Sequence, residues 1–277
     1  RELVSMVMKF ISVLTDNGEA VNQFAKAQAI SIILMAMKTR IDDESFVNDC
    51  LLTLYNCASN AENQRVLGSS GSLNQLMDLL SIYEDNLDIT KYVVLCSLRL
   101  STDDEVSIRV TDVGMRSFMK SAARHIKDIV TLSCIFELFT QLAFTKQNIQ
   151  SIVSHGGVKV LLGIMEDAEC QEEITLMMTG IKMLDNVVSA DVEFAIIVDE
   201  KGGKNIVEAL MKLNADDDEL IEAASSALRS LETMLNLKEE DGSKVHRGAL
   251  FARLGAEAVN LKGDKNVKIE ADVPEPE

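Results

Sequence analysis

The sequence predicts an all-α fold, an α-solenoid of three-helix repeats, on three observations. Both prolines, Pro274 and Pro276, lie in the last four residues. Proline breaks helix interiors by removing a backbone donor and clashing with the preceding turn, so its absence elsewhere points to helices throughout. Apolar residues make up 47% of the chain and aromatic ones only 4%, with no Trp. The core is therefore expected to be aliphatic, built from Leu, Ile, Val, Met and Ala. The third observation is an internal period of about 43 residues, carried by two separate markers.

The first marker is glycine. Gly71, Gly114 and Gly157 lie 43 residues apart, and Gly203 follows after 46. Each precedes a helical apolar pattern, and glycine tolerates the positive φ that a sharp turn demands. Corners between helices are expected at all four. Counting back from Gly71 reaches Gln28, where glycine is absent but Ile30, Ile33 and Leu34 fit the same pattern. The second marker is the apolar residue closing each long helix. Leu14, Cys57, Leu98, Leu142, Val187 and Leu231 are separated by 43, 41, 44, 45 and 44 residues.

Within a unit the order is short helix, glycine corner, helix, polar loop, long helix. The fourth unit starts at Asn148, turns at Gly156-Gly157, runs through Val158 to Met165 and loops at Glu166 to Glu169. Its third helix carries Met177, Ile181, Leu184 and Val187 at helical spacing, an amphipathic stripe. The first unit repeats the stripe with Val47, Cys50, Leu51, Leu54 and Cys57. Its ending, Leu54-Tyr55-Asn56-Cys57-Ala58, returns as Leu184-Asp185-Asn186-Val187. This unit, with its glycine corner and this ending, resembles the armadillo repeat.

The resemblance covers residues 1–236, the last helix of a cut repeat followed by five units, and implies a right-handed α-solenoid. No proline follows the glycine corners, so HEAT-like geometry stands as the alternative for individual units. Arg1 falls in mid-helix, so a preceding segment is expected, and with it N-terminal lipidation stays open. Residues 237–277 read as a polar linker, a capping helix at 245–254 and a charged tail too poor in large apolar residues to offset its ordering entropy.

The net charge is −17, with no Lys/Arg-rich stripe. Nucleic-acid binding rests on phosphate neutralisation and anionic membranes attract basic segments, so neither is expected as a partner. A protein or peptide with a basic face is the electrostatic expectation. The five cysteines, Cys50, Cys57, Cys96, Cys134 and Cys170, show no paired spacing and mostly fall in apolar stripes. They read as small core hydrophobes in a reducing, cytoplasmic or nuclear setting. No apolar run reaches the length of a membrane span.

Catalytic chemistry finds no carrier. His125, His155 and His246 occupy non-equivalent positions without metal-ligand spacing, and read as polar residues at helix ends. The Gly-Gly pairs lack a phosphate-loop pattern. Asp42-Asp43-Glu44 and Asp216-Asp217-Asp218-Glu219 lack the alternating ligands of a calcium loop, but stand where carboxylates favour a helix N-terminus. No cofactor, no metal and no small-molecule substrate are expected, and the chain reads as a non-enzyme. Met177, Met178 and Met183 read as core filling.

Stacked repeats place their third helices side by side along a concave groove. With Cys57 and its equivalents facing the core, the preceding residues face the groove: Asn56, Ser97, Gln141, Asn186 and Ser230. One turn earlier lie Leu52, Val93, Glu137, Lys182 and Ser226. The armadillo resemblance implies that such Asn residues hold the main chain of an extended ligand, as in importin-α and β-catenin, since an amide both donates and accepts. Asn56 and Asn186 match that motif, Gln141 is a variant, and Ser97 and Ser230 depart from it. Glu137 and Lys182 would set charge preference. Importin-α also carries Trp one turn before the Asn, and this chain has none. The resulting expectation is a protein-binding scaffold, with an importin-like transport adaptor or the targeting arm of a larger enzyme as alternatives.

Overall fold

A computed structural model describes residues 2–240 and is about 83% helical, with no strand among them. Sixteen helices follow one another among the described residues. Helix α1 (Glu2–Leu14) precedes five units. These are α2 (Gly18–Lys26), α3 (Ala29–Thr39) and α4 (Glu44–Cys57); α5 (Ala61–Leu67), α6 (Ser70–Ile82) and α7 (Leu87–Leu100); then α8 (Asp104–Arg124) and α9 (Ile129–Leu142). The fourth holds α10 (Lys146–Ser154), α11 (Gly157–Glu166), the short α12 (Ala168–Gln171) and α13 (Ile174–Ala190). The fifth holds α14 (Val192–Glu200), α15 (Gly203–Leu213) and α16 (Asp218–Glu240). Helix α16 thus continues past residue 236, where the array was expected to end. The expected capping helix at 245–254, the tail and His246 lie outside the described residues.

Side-chain caps start these helices. The first helix of each unit is capped by Asn17, Asn60, Asp103, Thr145 or Asp191, whose side-chain oxygens accept from backbone N–H groups in the first turn. The third helices use Asp43, Asn86, Asp128 and Asp217 in the same way. Capping satisfies donors that the helix itself leaves orphaned. The acidic runs at Asp42 and Asp216 are accounted for by these caps.

The corners differ from expectation in two units. Gly156 and Gly202 take φ of 82° and 81°, and Gln28 takes 52°, each just before the second helix of its unit. The left-handed residue is therefore the one before Gly157 and Gly203. Gly114 makes no corner; it is buried inside the 21-residue α8. Val113 stands where the left-handed residue would be, and a β-branched side chain strongly disfavours positive φ. The chain stays helical there and unit three has two helices. Gly114 serves close packing instead, because a Cβ on it would lie 2.5 Å from the Phe118 ring and 2.9 Å from Met77 Sδ. Gly71 also lies within a helix, in the first turn of α6, and the corner is formed by Gly68 and Ser69.

The core is aliphatic as expected, with Phe46, Phe118, Phe136 and Phe139 as its largest fully buried rings. Second helices pack on second helices, α3 on α6, α6 on α8, α8 on α11 and α11 on α15. Hydrogen bonds between units join residues about one period apart. Gln75 Nε2 donates to Leu34 O at 2.7 Å, Arg109 Nε to Gly68 O at 2.8 Å, and buried Asn148 Nδ2 to Ser107 Oγ at 3.0 Å. Each unit thus stabilises mainly its neighbours.

Leu184 and Asn186 on α13 test the helix phase. Leu184 is 2% exposed, and Asn186 is half-buried with no side-chain hydrogen bond among the described residues. Leu184→Ala is expected to cost about 2–5 kcal/mol through lost transfer energy and a cavity. Asn186→Ala should stay within about 0.5 kcal/mol. Equal losses in thermal melts of the two variants would contradict this packing.

Candidate partner-binding face

The third helices α4, α7, α9, α13 and α16 pack on one another in chain order, with α1 against α4, and so line one face of the array. Their N-terminal boundaries set a common phase. Asn56, Gln141, Asn186 and Ser230 each stand thirteen residues after the residue that precedes their helix, which is Asp43, Asp128, Glu173 or Asp217. The same offset from Asn86 on α7 lands on Arg99.

Ser97 therefore does not belong to this face. It is fully buried, and its Oγ donates to Val93 O, 2.9 Å away on its own helix. Val93 is fully buried as well. The apolar residue that closes the stripe of α7 is Leu100, not Leu98; Leu100 is fully buried and Leu98 half-buried. Two residues turn an α-helix by about 200°, so the shift moves Ser97 into the core and Arg99 onto the face. The row is Asn56, Arg99, Gln141, Asn186 and Ser230, all half-buried. One turn earlier come Leu52 and Leu95, half-buried, then Glu137, Lys182 and Ser226, exposed.

The amides of this row are little used by the fold. Asn56 Nδ2 lies 3.5 Å from both Ser12 O and Thr15 Oγ1, and Gln141 Nε2 lies 3.4 Å from Ser101 O. These are long beside the usual N–H···O separation of about 2.9–3.0 Å. Asn186 makes no hydrogen bond among the described residues. Arg99 is held firmly by contrast. Its Nη1 donates to Tyr55 O at 2.7 Å, and its guanidinium carbon sits 3.5 Å from the Tyr55 ring centroid. The Tyr55 and Tyr92 rings are 6.4 Å apart and tilted by 54°. Toward the other end, Ser226 Oγ donates to Asp185 at 2.9 Å.

Four of the five thiols are withdrawn from solvent. Cys50, Cys57, Cys96 and Cys170 are buried and all five cysteines are free. Burial pushes Cys50 and Cys96 up to about 12, and Cys57 and Cys170 to about 11, so these thiols stay neutral. His125 and His155 stand at the C-terminal ends of α8 and α10, as expected for polar helix-end residues. Among the described residues no group of three or more His, Cys, Asp or Glu is arranged to hold a metal. No single described helix is long and apolar enough to cross a membrane.

No protein-family model and no curated protein sequence matches the chain. Solved structures do. A designed armadillo repeat protein in complex with the peptide (KR)4 superposes with a TM-score of 0.67 at 18% identity, covering 82% of this chain and 91% of that one. Another designed armadillo repeat protein gives 0.69 at 17% identity, covering 82% and 92%. An engineered protein gives 0.70 at 16% identity, covering 83% and 90%. The chain has the armadillo-repeat fold, an all-α right-handed solenoid.

Proposed function

We propose that the protein is a non-catalytic scaffold that binds an extended protein or peptide segment along the face formed by α4, α7, α9, α13 and α16. The observation that carries this reading is the row Asn56, Gln141 and Asn186. These are side-chain amides at equivalent positions of units one, three and four, half-buried and scarcely engaged by the fold. An extended backbone offers a donor and an acceptor at every residue, and an amide answers both. The peptide-bound designed relative has the same fold and supports the choice of a peptide ligand. Leu52, Leu95, Glu137, Lys182 and Ser226 occupy the places where importin-α carries Trp, which speaks against an importin-like adaptor. The overall charge of −17 favours encounter with a partner that is basic outside the contacted stretch.

Peptides selected from a random dodecapeptide display library supply a probe. Hydrogen exchange with a selected peptide bound should show added protection in α4, α7, α9 and α13 and none in α3, α6 and α11. Protection concentrated on the second helices would place binding on the outer layer and overturn the proposal.

A further inference from the structure

We infer that Arg99 is a specificity-determining residue of this face, seating an acidic side chain, Asp or Glu, of the bound segment within an otherwise amide row. The inference rests on the groove reading and names the chemistry of its partner.

Three observations lead to it. First, Arg99 is the only cation in the row Asn56, Arg99, Gln141, Asn186 and Ser230, flanked on the adjacent helices by two amides that address a ligand's main chain. Second, the guanidinium is held in place before any ligand arrives. The Tyr55 ring lies 3.5 Å beneath it, and the bond from Nη1 to Tyr55 O is 2.7 Å. A side chain already fixed loses little rotamer freedom on binding. One donor of the fork is engaged and the ring covers one face, which leaves the remaining N–H groups at the rim for an incoming acceptor. Third, Arg99 pairs with no carboxylate among the described residues, although the chain carries 44 acidic residues against 27 basic ones. Some other cations of the array do find acids: Lys91 with Asp88, Lys120 and Arg124 with Glu84, Lys127 with Glu169 and Lys204 with Glu232. A half-buried, immobilised guanidinium in so acidic a chain offers a ready partner for a carboxylate.

Carboxylate is the chemistry that fits. A guanidinium edge presents parallel N–H groups that match the two oxygens of a carboxylate, and such charge-assisted bonds are the stronger kind. The excess negative charge does not oppose this, because exposed charges are screened beyond about 8–10 Å at ordinary salt. Encounter then favours basic flanks, while Arg99 selects an acid at one register.

The test uses the same display library against the wild-type protein, Arg99→Gln and Arg99→Glu, each checked for helicity by circular dichroism. Wild-type selections should converge on peptides with Asp or Glu at one fixed position. Arg99→Glu should select Lys or Arg at that position, and Arg99→Gln should lose the preference. The acidic wild-type peptides should bind Arg99→Gln about ten- to a hundredfold more weakly. Reversal of charge preference is a readout that a merely structural role, tying α7 to α4, would not produce. Should Arg99→Glu fail to fold, the loss of preference in Arg99→Gln decides the question. No acidic register in wild-type selections, or one that survives Arg99→Gln, overturns the inference. The groove reading would stand in that case if replacing Asn56, Gln141 and Asn186 by Ala still weakens the same peptides. If that replacement leaves them unaffected, the groove reading fails and the role of Arg99 with it.

Discussion

Phe136→Ala is expected to be among the most damaging single changes in the array, costing about 3–5 kcal/mol. Phe136 lies on α9, fully buried. A Cβ added at Gly180 would stand 3.1 Å from its ring, 3.3 Å from Met165 Sδ and 3.4 Å from Leu161 Cδ1. The ring therefore fills the junction at which α9, α11 and α13 converge. Removing it strips dispersion contacts from three helices at once, and neighbours already packed this closely can collapse only in part. Because a solenoid is stabilised through nearest-neighbour interfaces, the loss falls on the contact between units three and four. Phe144, 71% exposed in the turn after α9, is the internal control, and Phe144→Ala should stay within about 0.5 kcal/mol. Urea titrations of the two variants by circular dichroism check the pair. A loss below about 1 kcal/mol for Phe136→Ala would contradict the packing described.

The repeat itself is legible in the sequence because its period is enforced by packing. Every unit must bury the same face against the next, so the stripes ending at Cys57, Leu142, Val187 and Leu231 recur at nearly constant spacing. What resisted reading was phase, and α7 shows why. Leu98 and Leu100 are both apolar, and only burial distinguishes them. A stripe closed at Leu98 puts Ser97 on the face, whereas one closed at Leu100 puts Arg99 there. The caps carried the missing signal. Asp43, Asn86 and Asp128 recur 43 and 42 residues apart, and counting from Asn86 reaches Arg99 directly. Caps are reliable anchors because they answer a local need, the orphaned N–H groups of a first turn, whatever the tertiary packing.

Gly114 illustrates a different limit. Its spacing matched the other glycines, yet glycine has two structural uses, positive φ and close approach, and sequence alone does not separate them. The neighbouring residue does. Gly156 precedes Gly157 and Gly202 precedes Gly203, whereas Val113 precedes Gly114 and keeps its helix continuous. Leu14 shows an end effect: it holds the equivalent position to Cys57 but is 41% exposed, because no earlier helix among the described residues covers α1. Periodicity identifies equivalent positions; burial depends also on what stands beside them.

The central claim is that the amides of the third helices hold a partner's backbone, and one titration tests it most directly. The triple variant Asn56→Ala, Gln141→Ala, Asn186→Ala removes the three amides of the row. Their intramolecular contacts are absent or long, at 3.4–3.5 Å, so the variant should keep its helicity and melt close to the wild type. Each lost hydrogen bond to a ligand's main chain typically costs about 0.5–1.5 kcal/mol. The combined effect on a display-selected peptide is therefore a dissociation constant higher by about one to three powers of ten. The measurement is a calorimetric or fluorescence titration of one peptide against both folded proteins. Weakening within that range, with the melting temperature preserved, is the expected result; an unchanged dissociation constant would contradict it and move the binding surface off the third helices.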